Sequence, residues 1–189
     1  MPNYFDVAVI VGSLRKESFT RKIARAMMDN APASLRCRFV EIGDLPLYNA
    51  DIEGQVEAWD RFRKEIAACD AFLFATPEYN RSVPGCLKNA IDVGSRPYGS
   101  SVWEGKPAGV ISVTPSKLGA FGANHALRQS MVFLNVPCMQ QPEAYISNAS
   151  DLFDAGGALN NESTREFLAK FMVALEQWIA KFNPGKVAP

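Results

Sequence analysis

The sequence predicts an α/β fold, a parallel sheet covered by helices on both faces. Three observations predict it. Short runs rich in β-branched and aromatic residues alternate with longer segments at helical spacing. The short runs are apolar throughout, as strands buried on both faces must be. The segments between them are long enough for the crossovers that parallel strands require. With 189 residues, we expect one such domain spanning 1–189.

Phe5–Val11 (FDVAVIV) reads as a strand ending at Gly12. Thr20–Asn30 carries Ile23, Ala24, Met27 and Met28 on one helical face, and Pro32 closes it. Cys37–Ile42 reads as the second strand, and Asp44–Ile52 as a proline-containing loop. Val56–Ala68 is an amphipathic helix with Trp59, Phe62, Arg63 and Ile66 in register. Ala71–Ala75 (AFLFA) is the third strand, stopped by Thr76-Pro77. Pro84 suits the first turn of a helix running to about Val93, and a loop rich in Gly, Ser and Pro follows from Gly94 to Gly105. Pro107–Thr114 is the fourth strand, Ala123–Leu134 a helix, and Val136–Met139 a short fifth strand. Glu162–Phe182 closes the chain as a helix with Phe167, Leu168, Phe171, Leu175 and Trp178 along one side. Ser163 and Glu166 suggest a capping box at its start.

Composition narrows the function classes. The chain is 48% apolar, its formal net charge is zero and its pI is near 6.6. It lacks the basic excess of a nucleic-acid binder, so no nucleic-acid partner is expected. The balance of 20 cationic and 20 anionic side chains equally disfavours a strongly acidic redox carrier. Cys37, Cys69, Cys86 and Cys138 are dispersed without a C-x-x-C pair, which suggests reduced, mostly buried thiols. The beginning of the chain has no basic segment followed by a long apolar one. We therefore expect no signal peptide and no membrane partner, and a cytoplasmic location.

In a sheet of this kind, ligands bind at the carboxyl edge of the strands, where the strand order reverses. Three loops leave that edge. The first, GSLRKESFT from Gly12 to Thr20, sets the hydroxyls of Ser13, Ser18 and Thr20 and the cations of Arg15 and Lys16 at a helix N-terminus. Free N–H groups and the helix dipole there favour a phosphate, and Arg15 can pair with a dianion. Neither a G-x-x-x-x-G-K-[ST] loop nor a G-x-G-x-x-G turn is present, which disfavours a P-loop nucleotidase and a Rossmann dinucleotide site. A terminal monophosphate such as that of FMN suits the loop better. The second loop, TPEYNRSVPG from Thr76 to Gly85, can offer donors and acceptors to a flat heterocycle through Glu78, Tyr79, Asn80 and Ser82. The third, PSKLGAFG from Pro115 to Gly122, has two glycines that allow a close backbone approach.

Together, GSLRKESFT and the downstream TPEYNRSVPGCLKNAID resemble the NADPH-dependent FMN reductases, especially their chromate and quinone reductase branch. The resemblance covers nearly the whole chain. It implies a flavodoxin-like three-layer sandwich with a five-stranded parallel sheet of order 2-1-3-4-5. It further implies FMN held without a covalent bond, NADPH or NADH as electron donor, and a small-molecule acceptor: a quinone, a flavin, an azo compound or a metal oxyanion such as chromate. Carried over by position, Ser13, Arg15, Ser18, Phe19 and Thr20 would hold the FMN phosphate. Pro77, Glu78, Tyr79 and Asn80 would line the ring, with Ser116 and Gly119 near its other end. The family usually has Asn where Thr20 stands. Arg128 and Glu143 resemble subunit-contact positions of that branch, which implies a homodimer or homotetramer. Both donors, and both fixed and exchangeable FMN, stay open.

No protein side chain is expected to act as a catalytic acid or nucleophile, because the flavin N5 atom carries the chemistry. His125 is the sole histidine and no G-x-S-x-G elbow exists, so a hydrolase lacks its parts, and no metal site is expected. Arg81 and Arg96 are candidates to attract an anionic substrate or the NADPH phosphate, although Lys88, Asp92 and Arg96 also stand at ordinary i,i+4 pairing distance. The competing reading is a flavodoxin-type electron carrier without turnover of its own.

Overall fold

A computed structural model describes residues 4–186. Five strands, β1 (Phe5–Val11), β2 (Leu35–Phe39), β3 (Ala71–Thr76), β4 (Ala108–Val113) and β5 (Ala144–Ile146), form a sheet of order β2-β1-β3-β4-β5. Every pairing is parallel, as expected. The order reverses between β1 and β3, which places the ligand edge beside their carboxyl ends.

The uniformly apolar strands have the predicted cause. Val7, Val9, Leu73 and Ile111 point into one core with α1 (Phe19–Asp29) and α5 (Glu162–Phe182). Ala8, Ile10, Phe72, Phe74 and Val110 point into the other. There they meet α2 (Glu57–Ala67), α3 (Gly85–Gly94) and α4 (Phe121–Phe133). Trp59, Phe62 and Ile66 are buried on one face of α2, while Arg63 reaches the Val93 carbonyl and holds Glu53 through two bonds.

Several elements differ from expectation. The second strand lies earlier, at Leu35–Phe39 instead of Cys37–Ile42. Leu35, Cys37 and Phe39 face the α1 side, while Arg36 and Arg38 pair with Asp6 and Glu65. Val40 and Ile42 then cross to the other core. Val136–Met139 is not the fifth strand. It makes one bridge, with Ala108 donating to the Pro137 carbonyl and Met139 donating to that of Ala108. The strand proper begins at Ala144, because Pro137 and Pro142 have no N–H to give a ladder. The cap of α5 is Asn161, whose side chain accepts from the Thr164 N–H. Ser163 lies inside the helix and donates to Asn161 instead of forming a capping box.

The Gly94–Gly105 loop is pinned by Trp103, which is fully buried and donates its indole N–H to the Ile91 carbonyl. A Cβ on Gly94 would stand 2.5 Å from that indole, so the end of α3 is shaped to receive it. No helix among the described residues is long and apolar enough to cross a membrane.

Candidate active site

Parallel register sets the three loops side by side. Val11 aligns with Ala75, Thr76 aligns with Ser112, and Gly12 donates across the edge to the Ala75 carbonyl.

In the first loop, Ser18 caps α1. Its hydroxyl accepts from the Arg21 N–H and keeps its own proton to donate. Lys22 donates to the Ser18 carbonyl, whereas the Phe19 and Thr20 N–H groups have no acceptor among the described residues. Ser13 and Thr20 are buried, and neither hydroxyl is hydrogen-bonded within the described chain. Arg15 is exposed and makes no ion pair there. The Phe19 ring turns inward and stacks on Phe153, so Phe19 offers only its backbone to the loop. Buried hydroxyls, open N–H groups and one uncommitted guanidinium suit a phosphate monoester.

The second loop is a two-residue hairpin. Tyr79 and Ser82 exchange both backbone bonds, and Asn80 and Arg81 have φ of 52° and 65°, the signs a type I′ turn demands. Asn tolerates that region and Arg does so at a cost. Pro77 stands at the exit of β3, and the Thr76 hydroxyl donates to its carbonyl. The Glu78 side chain is spent elsewhere: its carboxylate accepts from the Ala123 N–H and pairs with Arg81. It thereby supplies the N-terminal cap that α4 lacks, since Ala120 has no side-chain acceptor. Gly122 makes this approach possible, because a Cβ there would lie 2.7 Å from the Arg81 carbonyl oxygen and 2.9 Å from the Glu78 carboxylate.

In the third loop, Ser116 folds back on Thr114 and accepts from the Asn148 N–H. Gly119 has φ of 60°, its carbonyl accepts from the buried Ser112 hydroxyl, and Tyr145 lies directly against it. Four exposed apolar side chains border these loops: Leu14, Tyr79, Leu118 and Phe121. Only Tyr79 was singled out from the sequence. The available signal was an apolar residue inside an otherwise polar loop.

Arg96 lines a groove along α3 that ends at Gly85, the last residue of the second loop. It follows the C-terminal end of α3, whereas the second loop precedes the N-terminal end, and its guanidinium reaches only the Ser95 carbonyl. Arg81 remains beside the second loop. His125 lies on α4, bonded to the Tyr145 hydroxyl and packed on Phe121. Arg128 bonds Asn124 and the Met139 carbonyl, while its Nη2 is buried without a partner among the described residues. Burial first, then Glu143, raises the Tyr145 phenol above its ordinary range. All four cysteines are free. Cys69 is buried and the others are half-buried, and burial pushes the Cys37 and Cys138 thiols up to about 11. Neither is a ready nucleophile at neutral pH. No cluster able to hold a metal occurs among the described residues.

The profile of the NADPH-dependent FMN reductases matches residues 5–151, which span all five strands and the three loops. The chain belongs to this family. A quinone reductase of Pseudomonas putida is 62% identical over 181 residues, covering 95% of this chain and 97% of that protein. An NAD(P)H-dependent FMN reductase of Pseudomonas aeruginosa is 39% identical over 185 residues, 97% of this chain and all of that one. The solved structure of FerB, a flavoenzyme NAD(P)H:(acceptor) oxidoreductase from Paracoccus denitrificans, superposes with a TM-score of 0.88 at 41% identity, covering 94% and 98% of the two chains. The fold is thus flavodoxin-like, and the chain is an oxidoreductase whose cofactors are FMN and NAD(P)H.

Proposed function

We propose that the chain, acting as one FMN-binding domain, reduces quinones with electrons from NAD(P)H. The observation that carries this reading is the meeting of a phosphate-ready loop and an apolar-bordered edge at one end of the sheet. The 62% identity to a protein named quinone reductase supports the acceptor class. Ser13, Arg15, Ser18, Thr20 and the Phe19 N–H hold the FMN phosphate. Pro77, Glu78, Tyr79 and Asn80 line the ring, Glu78 through its backbone, with Ser116 and Gly119 at the other end. Bound FMN supplies the hydride acceptor and hands the electrons on. Leu14, Leu118 and Phe121 give a flat apolar substrate a surface to lie on, and Arg81 draws in anionic acceptors. Other flavins, azo compounds and chromate are further acceptors of this class. Four free thiols fit a reducing cytoplasm.

The purified protein should carry flavin absorbance and oxidise NADPH steadily when a quinone is supplied. Flavin absorbance without turnover would favour the electron-carrier reading. Arg15→Ala should weaken FMN binding by about 1.5–3 kcal/mol without unfolding the protein, because a charge-assisted phosphate contact is lost. Fluorescence titration with FMN measures this, and an unchanged affinity would remove Arg15 from the site.

One shared edge for donor and acceptor implies a ping-pong mechanism. Double-reciprocal plots against NADPH at several quinone concentrations should be parallel. Intersecting lines would point to a separate nicotinamide site.

The chain should also form a homodimer or homotetramer held in part by Arg128 and Glu143. Val132 and Phe133 on α4 are largely exposed, and the unpartnered Arg128 Nη2 awaits an acceptor. Light scattering that gives a 20.7 kDa particle at micromolar concentration would end the idea.

A further inference from the structure

Glu78 carries the opposite charge to its surroundings. The three loops hold four cations, Arg15, Lys16, Arg81 and Lys117, and two carboxylates, Glu17 and Glu78. Glu17 is exposed and pairs with Lys22. Glu78 is the shielded one: its side chain is 13% exposed, against 73% for its partner Arg81. A carboxylate drawn out of water needs a donor of its own. Here the donor is the backbone of α4.

Helix ends supply much of the field at this edge. α1, α3 and α4 all begin where the three loops end, so three positive helix ends meet there. The α1 end belongs to the phosphate loop. Pro84 gives α3 no side-chain cap, and no acid stands in its first turn. α4 likewise has neither a cap nor a first-turn acid of its own. Phe121 donates to the Leu118 carbonyl and Asn124 to the Ala120 carbonyl, while Ala123 donates to a charge, Glu78 Oε2, at 3.0 Å. Gly122 leaves space for that carboxylate, since a Cβ there would stand 2.9 Å from it. The second loop thus sends its one negative charge onto the positive end of the helix that follows the third loop.

We propose that Glu78 sets the reduction potential of FMN in this site by covering the positive end of α4. The inference rests on the proposed placement of the flavin ring at the second and third loops. Taking up a hydride leaves the ring one unit more negative, and a nearby charge that favours one of the two forms moves the potential. An open helix N-terminus would favour the reduced ring and hold its electrons back. The shielded carboxylate opposes that field, keeps the potential low and leaves the reduced flavin a ready donor to a quinone. The side chain acts through the helix end, which makes Glu78 a positioning residue.

Glu78→Gln is the test, because an amide oxygen of the same reach can still accept from the Ala123 N–H while the charge is gone. The potential of the bound flavin is measured against a reference dye at saturating FMN. The preference for reduced over oxidised flavin should rise about tenfold, a potential about 30 mV higher for a two-electron couple. Glu78→Asp keeps the charge and should stay near the parent value. The double variant Glu78→Gln/Arg81→Gln should stay above the parent, since the exposed guanidinium is screened by water and salt. An unchanged or lowered potential in Glu78→Gln overturns the assignment. An equal rise in Glu78→Asp also overturns it, because the effect would then be one of shape. So does a double variant back at the parent value, which would trace the shift to a released Arg81. Loss of the fold in Glu78→Gln would make the side chain structural and end the proposal as well. A parent protein that binds no flavin would instead remove the functional reading beneath it, so the two failures are distinguishable.

Discussion

Asn124→Leu is expected to cost the fold about 3–4 kcal/mol, although leucine nearly matches asparagine in size. Asn124 is fully buried on α4. Its amide donates to the Ser112 hydroxyl at 3.2 Å and the Ala144 carbonyl at 3.4 Å, and its oxygen accepts from Arg128 Nε at 2.9 Å. One side chain thus ties β4, β5 and α4 together and answers a charge. Leucine removes all three bonds. The Arg128 guanidinium, whose Nη2 is already unpartnered, would keep only the Met139 carbonyl. Stranding a buried charged donor costs more than a neutral hydrogen bond is worth. Urea unfolding at fixed protein concentration should show a lower midpoint with an unchanged slope. A loss below about 1 kcal/mol would show that Arg128 finds another acceptor or reaches water.

Gly119→Ala is expected to cost about 2–5 kcal/mol and to weaken FMN retention with it. Two penalties combine at this position. The left-handed backbone, φ 60°, penalises any Cβ by about 1–2 kcal/mol. The new methyl would also lie 2.6 Å from Tyr145 Cβ and 3.3 Å from the Tyr145 backbone, an overlap costing about 1–3 kcal/mol. Relieving it means moving the third loop away from β5, which breaks the bond from the Ser112 hydroxyl to the Gly119 carbonyl. Gly54→Ala separates the two causes. Gly54 also has positive φ, 77°, but nothing lies within 4 Å of a Cβ there. Only the backbone penalty of about 1 kcal/mol should appear. Equal losses in the two variants, measured by the same unfolding experiment, would remove the Tyr145 contact from the explanation.

Sheet class was legible in the sequence because it follows from local chemistry. FDVAVIV and AFLFA can be soluble only if both strand faces are covered, and covered strands need helical crossovers. The hydroxyls of GSLRKESFT, placed between such a strand and a helix, mark a candidate phosphate loop before any contact is known. The α2 face of Trp59, Phe62 and Ile66 was readable from spacing alone for the same reason.

Tertiary structure decided what no local pattern encodes. β5 formed at Ala144–Ile146 rather than Val136–Met139, because strand pairing depends on which backbone N–H groups can meet β4, and Pro137 has none. Glu78 could face a ring through backbone or side chain, and a helix distant in sequence that lacked a cap took its carboxylate, which leaves the backbone. Arg96 stands past the C-terminal end of α3, and only packing decided that it shares a groove with Tyr48 and Gly85. Arg21, Lys22 and Arg25 of α1 line one cavity with Arg165 of α5, a grouping that no motif announces. Periodicity and loop chemistry report what each segment can do alone. Which segments come to share a charge, a cap or a cavity is set by packing between residues far apart in the chain, and there the fold itself had to be seen.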